Sequence, residues 1–186
     1  MPIVSTTKMT ARQFLELGQD PPGVRLELVD GEVAVSPSPV PDHSFVVVSL
    51  AAILRHYIDE EDLGQLFRDV DTILGAHDVR RPDLLYYQKS RLHLIGSKAM
   101  EGPPDLAVEV VSPSSGKVDR RDKFSLYAIG KIKYYWIIDP KQKTAEAYRL
   151  SGQKYVGRVR GSGSDVVRLP PFAKLKIPLA KLWRPK

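Results

Sequence analysis

The chain has no cysteine among its 186 residues. Its fold therefore contains no disulfide bond, and its chemistry uses neither a thiolate metal ligand nor a cysteine nucleophile. It also has no run of about 18 apolar residues, so no segment is predicted to span a membrane. Its first residues lack the basic-then-apolar pattern of a secretory signal peptide. Together these absences predict a cytoplasmic protein.

Charge of both signs is plentiful but unevenly distributed. The net charge is +6, yet residues 117–186 hold 18 Lys and Arg against 5 Asp and Glu, whereas residues 1–116 hold 10 against 17. A basic C-terminal third suits a polyanionic partner such as nucleic acid. The alternative is a solvated basic surface without a partner, which charge alone favours.

Hydrophobic residues make up 42% of the chain, enough for a substantial core in a single domain over residues 1–186. Capping, turn and periodicity signals predict these elements in the first half: a helix capped by Thr10, a hairpin over 24–35 around Asp30-Gly31, a helix from Asp42 or Ser44 to Asp62, and strands over 66–74 and 79–88. The second half is predicted to contain a helical piece over 90–100, a strand over 105–111, a helix from Asp119 or an earlier serine to about Ile129, a strand over 134–138, a meander over 144–150, 154–160 and 165–169, and a helical turn over 178–183.

Glu109 stands inside the most apolar of these strands, between valines. A carboxylate there costs free energy unless it is paired, hydrogen-bonded or bound to a metal ion. Asp83 follows Pro82 at the mouth of another buried strand, and Lys123 lies on the helix after the Glu109 strand. Two carboxylates on adjacent strands would bind Mg²⁺ or Mn²⁺. The metal would activate a water, and Lys123 would act as catalytic base or stabilise charge on a phosphate.

Each of these residues also has an ordinary structural interpretation. Asp83 could cap a turn, Glu109 could pair with an arginine, and Lys123 could be an exposed helix lysine. In the predicted hairpin Val29 pairs with Glu32, which places Glu27 and Glu32 on one side, where solvent exposure is the usual outcome.

Five phrases of the sequence resemble the Uma-two family, a restriction-endonuclease-like group within the PD-(D/E)XK nuclease superfamily. They are LELVDGEVAVSPSP, a histidine (His43) before a long helix, RPDLLYY, DLAVEVVSPSS, and DxxxKFSLYAIGKIKYYWIIDP. The resemblance covers roughly residues 10–150; residues 151–186 are less distinctive. It implies an α/β fold with a restriction-endonuclease-like core, in which a central mixed β-sheet is flanked by helices, with an N-terminal β-hairpin and a C-terminal β-meander.

The resemblance also implies roles for individual residues. Asp83 matches the Asp of the PD phrase, and Glu109 matches the acid of the (D/E)XK phrase. The position two after Glu109 is Val111 rather than lysine, and Lys123 matches a lysine relocated to the following helix. The remaining matches are a further acid at the site, Glu27, and two residues with weaker roles, Glu32 and His43. Tyr127, one turn after Lys123 on the same helix face, either contacts the site or packs.

The resemblance implies a metal-dependent nuclease that uses Mg²⁺ or Mn²⁺ and hydrolyses phosphodiester bonds, with DNA as the expected substrate and a homodimer as the expected assembly. Two alternatives stay open, because a fold does not fix a function. One is a nuclease-fold protein that binds nucleic acid with weak or no catalysis. The presence of Val111 where the (D/E)XK phrase has lysine supports this alternative. The other is a dimeric interaction module that pairs through strands of the meander.

Overall fold

The structure is a computed structural model that describes residues 8–112 and 117–185, with the side chains of all of these except 117–122. Its helices are α1 (Ala11–Leu15), α2 (Pro41–Glu60) and α3 (Lys117–Ile129), and two short 3₁₀ helices cover Lys89–Leu94 and Leu179–Leu182. Its strands are β1 (Val24–Val29), β2 (Glu32–Pro37), β3 (Gly64–Phe67), β4 (Thr72–Gly75), β5 (Asp78–Arg80), β6 (Leu84–Gln88), β7 (Leu106–Val110), β8 (Tyr134–Asp139), β9 (Thr144–Ser151), β10 (Lys154–Ser162), β11 (Val166–Val167) and β12 (Ile177–Pro178).

Four strands form a small antiparallel sheet in the order β2-β1-β5-β4. Its hairpin has the predicted register, with Val29 opposite Glu32, because Asp30 and Gly31 both take the positive φ that a tight two-residue turn requires. Helix α1 begins as predicted, since the Thr10 side chain caps the Gln13 amide. The helix packs Phe14 against Leu28 of β1 and so closes one side of the small sheet.

Six strands form the main sheet, in the order β10-β9-β8-β7-β6-β3. Only β7 and β8 run parallel among these neighbours, because helix α3 connects them as a crossover. The sheet is therefore mixed, as the family resemblance implies, and it has helices on both faces.

The two faces of the main sheet bury alternate residues of each strand. On one face, α2 packs Leu50 and Leu54 against Val108 of β7. On the other, α3 packs Tyr127 and Ala128 against alternate strand residues that include Ala107 and Tyr135. Glu109 follows the alternation of Ala107 and lies on the α3 face. We call this the α3 face of the main sheet.

Besides the passage through α2, the chain crosses between the two sheets at two points that the sequence does not reveal. The predicted strand over 66–74 is two strands, β3 and β4, because the chain turns at Asp69, which has a φ of +55°. The predicted strand over 79–88 is also two, β5 in the small sheet and β6 in the main sheet. Pro82 stands in the break, where it needs no strand partner for its missing N–H.

Several other element boundaries differ from the sequence predictions. The helical piece over 90–100 is a 3₁₀ helix that ends at Leu94. Helix α3 begins two residues before Asp119, and the predicted serine cap lies outside the described residues. The third strand of the meander shrinks to β11, which pairs with β12 in a separate two-stranded sheet instead of extending the main one. Among the described residues, no helix has the length and apolar character needed to cross a membrane.

Candidate active site

Asp83 lies where the chain passes from the small sheet into the main sheet, and only 3% of its side chain is exposed. Its Oδ2 accepts a hydrogen bond from the Val110 amide at 2.8 Å and contacts His43 Nε2 at 3.1 Å. Its Oδ1 lies 3.5 Å from Arg25 Nη1. Burial alone would raise the pKa of Asp83, but the His43 contact, the Val110 hydrogen bond and the Arg25 charge together lower it. Asp83 is therefore held as a buried carboxylate.

Glu109 lies on β7, and its side chain points toward α3. The neighbouring strand is β6, which Asp83 directly precedes. Its Oε2 accepts a hydrogen bond from Lys123 Nζ at 3.0 Å, and its Oε1 accepts one from the Tyr127 hydroxyl at 2.5 Å. Lys123 and Tyr127 reach the same carboxylate because they are four residues apart on one helix face. Burial raises the pKa of Glu109, and the nearby charges of Asp83 and Glu27 add to that rise, against the opposing effects of Lys123 and the Tyr127 hydrogen bond.

Glu27 lies on β1 and is buried, so the expectation of a solvent-facing strand acid is wrong for this residue. Its Oε1 accepts a hydrogen bond from the Arg81 amide at 2.7 Å, and its Oε2 lies 3.5 Å from Arg80 Nη2. The carboxylate is also near enough to Glu109 to raise the pKa of that residue. The burial follows from position, because β1 is an inner strand of the small sheet and not an edge.

Two residues with weaker predicted roles have different locations. Glu32 is exposed on the edge strand β2, and the structure does not bring it to the other acids. His43 is buried on the first turn of α2 and contacts Asp83. A lone histidine at a helix start is typical of a turn or capping residue, so its own sequence context gave little reason to expect this contact. Its Nδ1 is buried without a hydrogen-bond partner among the described residues.

Sequence reasoning missed two arginines that compensate the buried acids. Arg25 contacts Asp83 and also forms an ion pair with Asp69 at 2.5 Å. Burial alone would lower the pKa of Arg25, but the charges of these acids outweigh burial and raise it. Arg80 faces Glu27. Strand alternation could have indicated Arg25, because it stands two residues before Glu27 on β1 and therefore on the same face.

The carboxylates are chemically suitable ligands for a divalent cation, although they do not form a complete coordination site. Within the described residues, no group of three or more Asp, Glu and His side chains is arranged to hold a metal ion. Mg²⁺, however, uses only one or two carboxylates and completes its coordination with water and phosphate oxygens. Burial, and after it the negative charges of Asp83 and Glu27, raise the pKa of Glu109, and a bound cation would relieve this unfavourable electrostatic environment.

Comparisons with known proteins agree with this architecture. The model of the family Uma2, described as "Putative restriction endonuclease", matches residues 11–180. An uncharacterized protein of Synechocystis sp. is 24% identical over 157 residues, which cover 83% of this chain and 88% of that protein. A crystal structure from Anabaena variabilis, titled as a "putative nuclease belonging to DUF820", superposes with a TM-score of 0.77 at 19% identity and covers 94% of this chain and 97% of that one. At this identity the structural likeness shows the shared fold.

Proposed function

The chain belongs to the Uma2 family, and from this membership and the site geometry we propose that it is a metal-dependent nuclease of the PD-(D/E)XK type, with DNA as its substrate. The observation that carries the proposal is that Asp83, directly before β6, and Glu109, on the neighbouring strand β7, are close enough for the Asp83 charge to raise the pKa of Glu109, while Lys123 is held 3.0 Å from Glu109. Buried carboxylates beside a lysine are a costly arrangement for stability alone, and they supply the groups that phosphodiester hydrolysis requires.

Asp83 and Glu109 would hold the Mg²⁺ or Mn²⁺ ion, which when bound lowers the pKa of a bound water and offsets charge on the phosphate. The chain's own groups prepare this place. The Val110 amide and His43 fix the Asp83 carboxylate, and the Tyr127 hydroxyl fixes one oxygen of Glu109.

Lys123 would act on the attacking water and on the phosphate. In the ion pair with Glu109 its ammonium is a hydrogen-bond donor. In that state it can orient a water and stabilise negative charge developing on a phosphate oxygen. The role of catalytic base predicted from the sequence additionally requires Lys123 to lose a proton.

A second candidate function is nucleic-acid binding without cleavage. It is favoured by the pairing of each buried acid of the site with a cation of the chain: Asp83 with Arg25, Glu109 with Lys123, and Glu27 with Arg80. In such a protein these ion pairs would be permanent, and no metal would displace them.

The deciding experiment compares the parent with Glu109→Gln in cleavage of supercoiled plasmid and single-stranded DNA, with Mg²⁺, Mn²⁺ or EDTA. Glu32→Gln is the matched control, because it removes the same charge from the exposed edge strand. We expect metal-dependent cleavage by the parent and the control, and none by Glu109→Gln. Absence of cleavage by all three supports the binding function, and equal cleavage by all three places the chemistry elsewhere.

A further inference from the structure

A row of side chains crosses the main sheet from the candidate site to the edge strand β10. Glu109 pairs with Ile137 of β8, and Ile137 pairs with Glu146 of β9. Glu146 in turn pairs with Arg160 of β10. Directly paired residues point to the same face of a sheet. At about 4.8 Å between strands, the backbone of Arg160 lies about 14 Å from that of Glu109 on the α3 face.

The contacts at the outer end of this row confirm the shared face. Arg160 Nε lies 3.5 Å from Glu146 Oε1, and the Tyr148 hydroxyl donates a hydrogen bond to Glu146. Arg158 interacts with the same Tyr148 hydroxyl. The Tyr148 ring packs edge-on against Phe124 of α3, with ring centroids 4.9 Å apart. Arg158 and Arg160 therefore stand beside α3, on the side of the sheet that carries Glu109.

A bulge in β10 produces this orientation. The pairing of β9 with β10 shifts between Val156 and Val159, and Gly157 within the shift has a φ of +67°. Glycine adopts this conformation without steric cost, and such bulges re-aim the side chains that follow them. Tyr155, before the bulge, is buried on the α3 face. With regular alternation Arg160 would face the opposite side from Tyr155, whereas the extra residue turns it to the same side.

The surroundings of these arginines are basic and accessible. Residues 140–163 hold six Lys and Arg and a single acid, Glu146. Arg158 is exposed, and the side chain of Arg160 is 49% exposed although it is paired. Lys143 is also exposed, in the turn between β8 and β9. An exposed guanidinium with a planar fork of donors suits a phosphate group.

We propose that Arg158 and Arg160 form a phosphate-binding subsite that holds the backbone of the nucleic-acid strand whose scissile phosphodiester lies at Glu109. The inference rests on the proposed function, since it takes the reacting phosphate to be at Glu109. When no phosphate is bound, Glu146 forms an ion pair with Arg160, and it therefore competes with the nucleic-acid strand for this side chain. The bulge at Gly157 thus serves substrate placement as well as strand geometry.

The test measures binding of a fluorescein-labelled DNA duplex, and of its separate single strand, by fluorescence anisotropy in EDTA over a range of salt concentrations. The variant is Arg158→Ala/Arg160→Ala. The matched control is Arg149→Ala/Arg168→Ala, which removes two exposed arginines. Arg149 lies on the same hairpin, and alternation from Tyr148 directs it to the other face.

We expect the variant to bind DNA at least tenfold more weakly, because the loss of one charge-assisted hydrogen bond already accounts for about a factor of ten in affinity. The slope of log affinity against log salt should fall by about 2, because two fewer phosphates are neutralised. The control should behave as the parent. Equal losses in the two double variants, unchanged binding in the first, or no binding by the parent would overturn the inference. So would a change confined to oligomeric state, since the face would then join two copies of the chain.

A second variant tests the competition by Glu146. Glu146→Gln releases Arg160, so we expect a gain in affinity of up to about fivefold, in line with the strength of a partly exposed ion pair. Glu60→Gln, an exposed acid at the end of α2, is the charge-matched control and should give no comparable gain. An affinity equal to that of the control would contradict the assigned role of Glu146.

Cleavage is scored separately, so the two proposals can fail independently. Arginine-dependent binding without cleavage by the parent retains the phosphate subsite and removes the nuclease. Metal-dependent cleavage with unchanged binding in Arg158→Ala/Arg160→Ala retains the nuclease and removes the subsite.

Discussion

At the scale of single residues, the two candidate metal-binding acids, Asp83 and Glu109, are not equivalent. Asp83 is stabilised in its charged form by His43, Val110 and Arg25, and its pKa is lowered in spite of burial. Glu109 is buried beside other carboxylates, and its pKa is raised. Proton linkage therefore gives the two residues opposite effects on stability as the pH changes.

For Glu109, the raised pKa means that its contribution to stability is present at low pH and is lost as the pH rises through its folded-state pKa. We therefore expect Glu109→Gln to increase the free energy of unfolding at neutral pH in EDTA, with a gain that shrinks as the pH falls from the raised folded-state pKa and disappears below the ordinary value of 4.5. Urea unfolding followed by circular dichroism over this pH range measures it. A loss of stability at neutral pH would mean that the ion pair with Lys123 outweighs the cost of burial.

For Asp83, the lowered pKa means that its contribution is present above the ordinary value of 3.8 and is lost as the pH falls through the folded-state pKa. Asp83→Asn should therefore destabilise the protein at neutral pH, by about 3 kcal/mol, the usual cost of breaking a buried pair. The same unfolding series measures this cost. Equal stability of variant and parent at neutral pH would contradict the assigned network.

Glu27 and Glu32 form a matched pair, since they lie on one hairpin but only Glu27 is buried at the site. We expect Glu27→Gln to reduce cleavage at least tenfold, on the scale of one lost electrostatic contact in a reaction. Glu32→Gln should cleave as the parent does. Plasmid nicking rates under identical metal conditions measure both, and equal rates would remove Glu27 from the site.

At the scale of elements, helix α3 carries two residues that hold Glu109. Lys123→Ala should abolish cleavage and leave binding of Mn²⁺ intact, because the carboxylates that would hold the ion are unchanged. Titration calorimetry with Mn²⁺ measures the binding, and plasmid nicking measures the cleavage. Cleavage by Lys123→Ala at the parental rate would make Lys123 a structural partner of Glu109.

Tyr127→Phe is the companion variant. It removes one hydrogen bond to Glu109, at a cost of about 1 kcal/mol in stability.

The local patterns predicted most elements but not where the chain changes sheet. Asp30-Gly31 and the Thr10 cap are complete within a few residues, so the sequence predicted both. The burial of Glu27 and the contact between His43 and Asp83 depend on how the small sheet and α2 approach the main sheet. Such contacts join residues 40 or more positions apart, and they leave no periodic signal in the sequence. The resemblance to a family, and not hydrophobic patterning, singled out Glu27.

At the scale of the whole molecule, Arg81 ties distant segments together. It forms ion pairs with Asp20, which precedes the hairpin, and with Asp71, which precedes β4, and its side chain is 15% exposed. Arg81→Ala should therefore cost about 2 kcal/mol, less than a fully buried pair. Thermal unfolding measures it, with the exposed Arg168→Ala as control. Equal melting temperatures of the two variants would show that this network adds nothing to stability.

The homodimer implied by the family resemblance remains a prediction at this scale. Sedimentation equilibrium would test it.

Both tryptophans of the chain report on its C-terminal segment. The Trp136 indole is fully buried and donates a hydrogen bond to the Pro170 carbonyl, and the Trp183 indole donates one to the Gly163 carbonyl. Trp136 belongs to the α2 side of the main sheet, away from Glu109. The intrinsic fluorescence of this protein is therefore an optical probe of whether the last part of the chain stays docked. Its emission should remain unchanged in substitutions of the acids, so that a loss of cleavage can be separated from a loss of folding in the same sample.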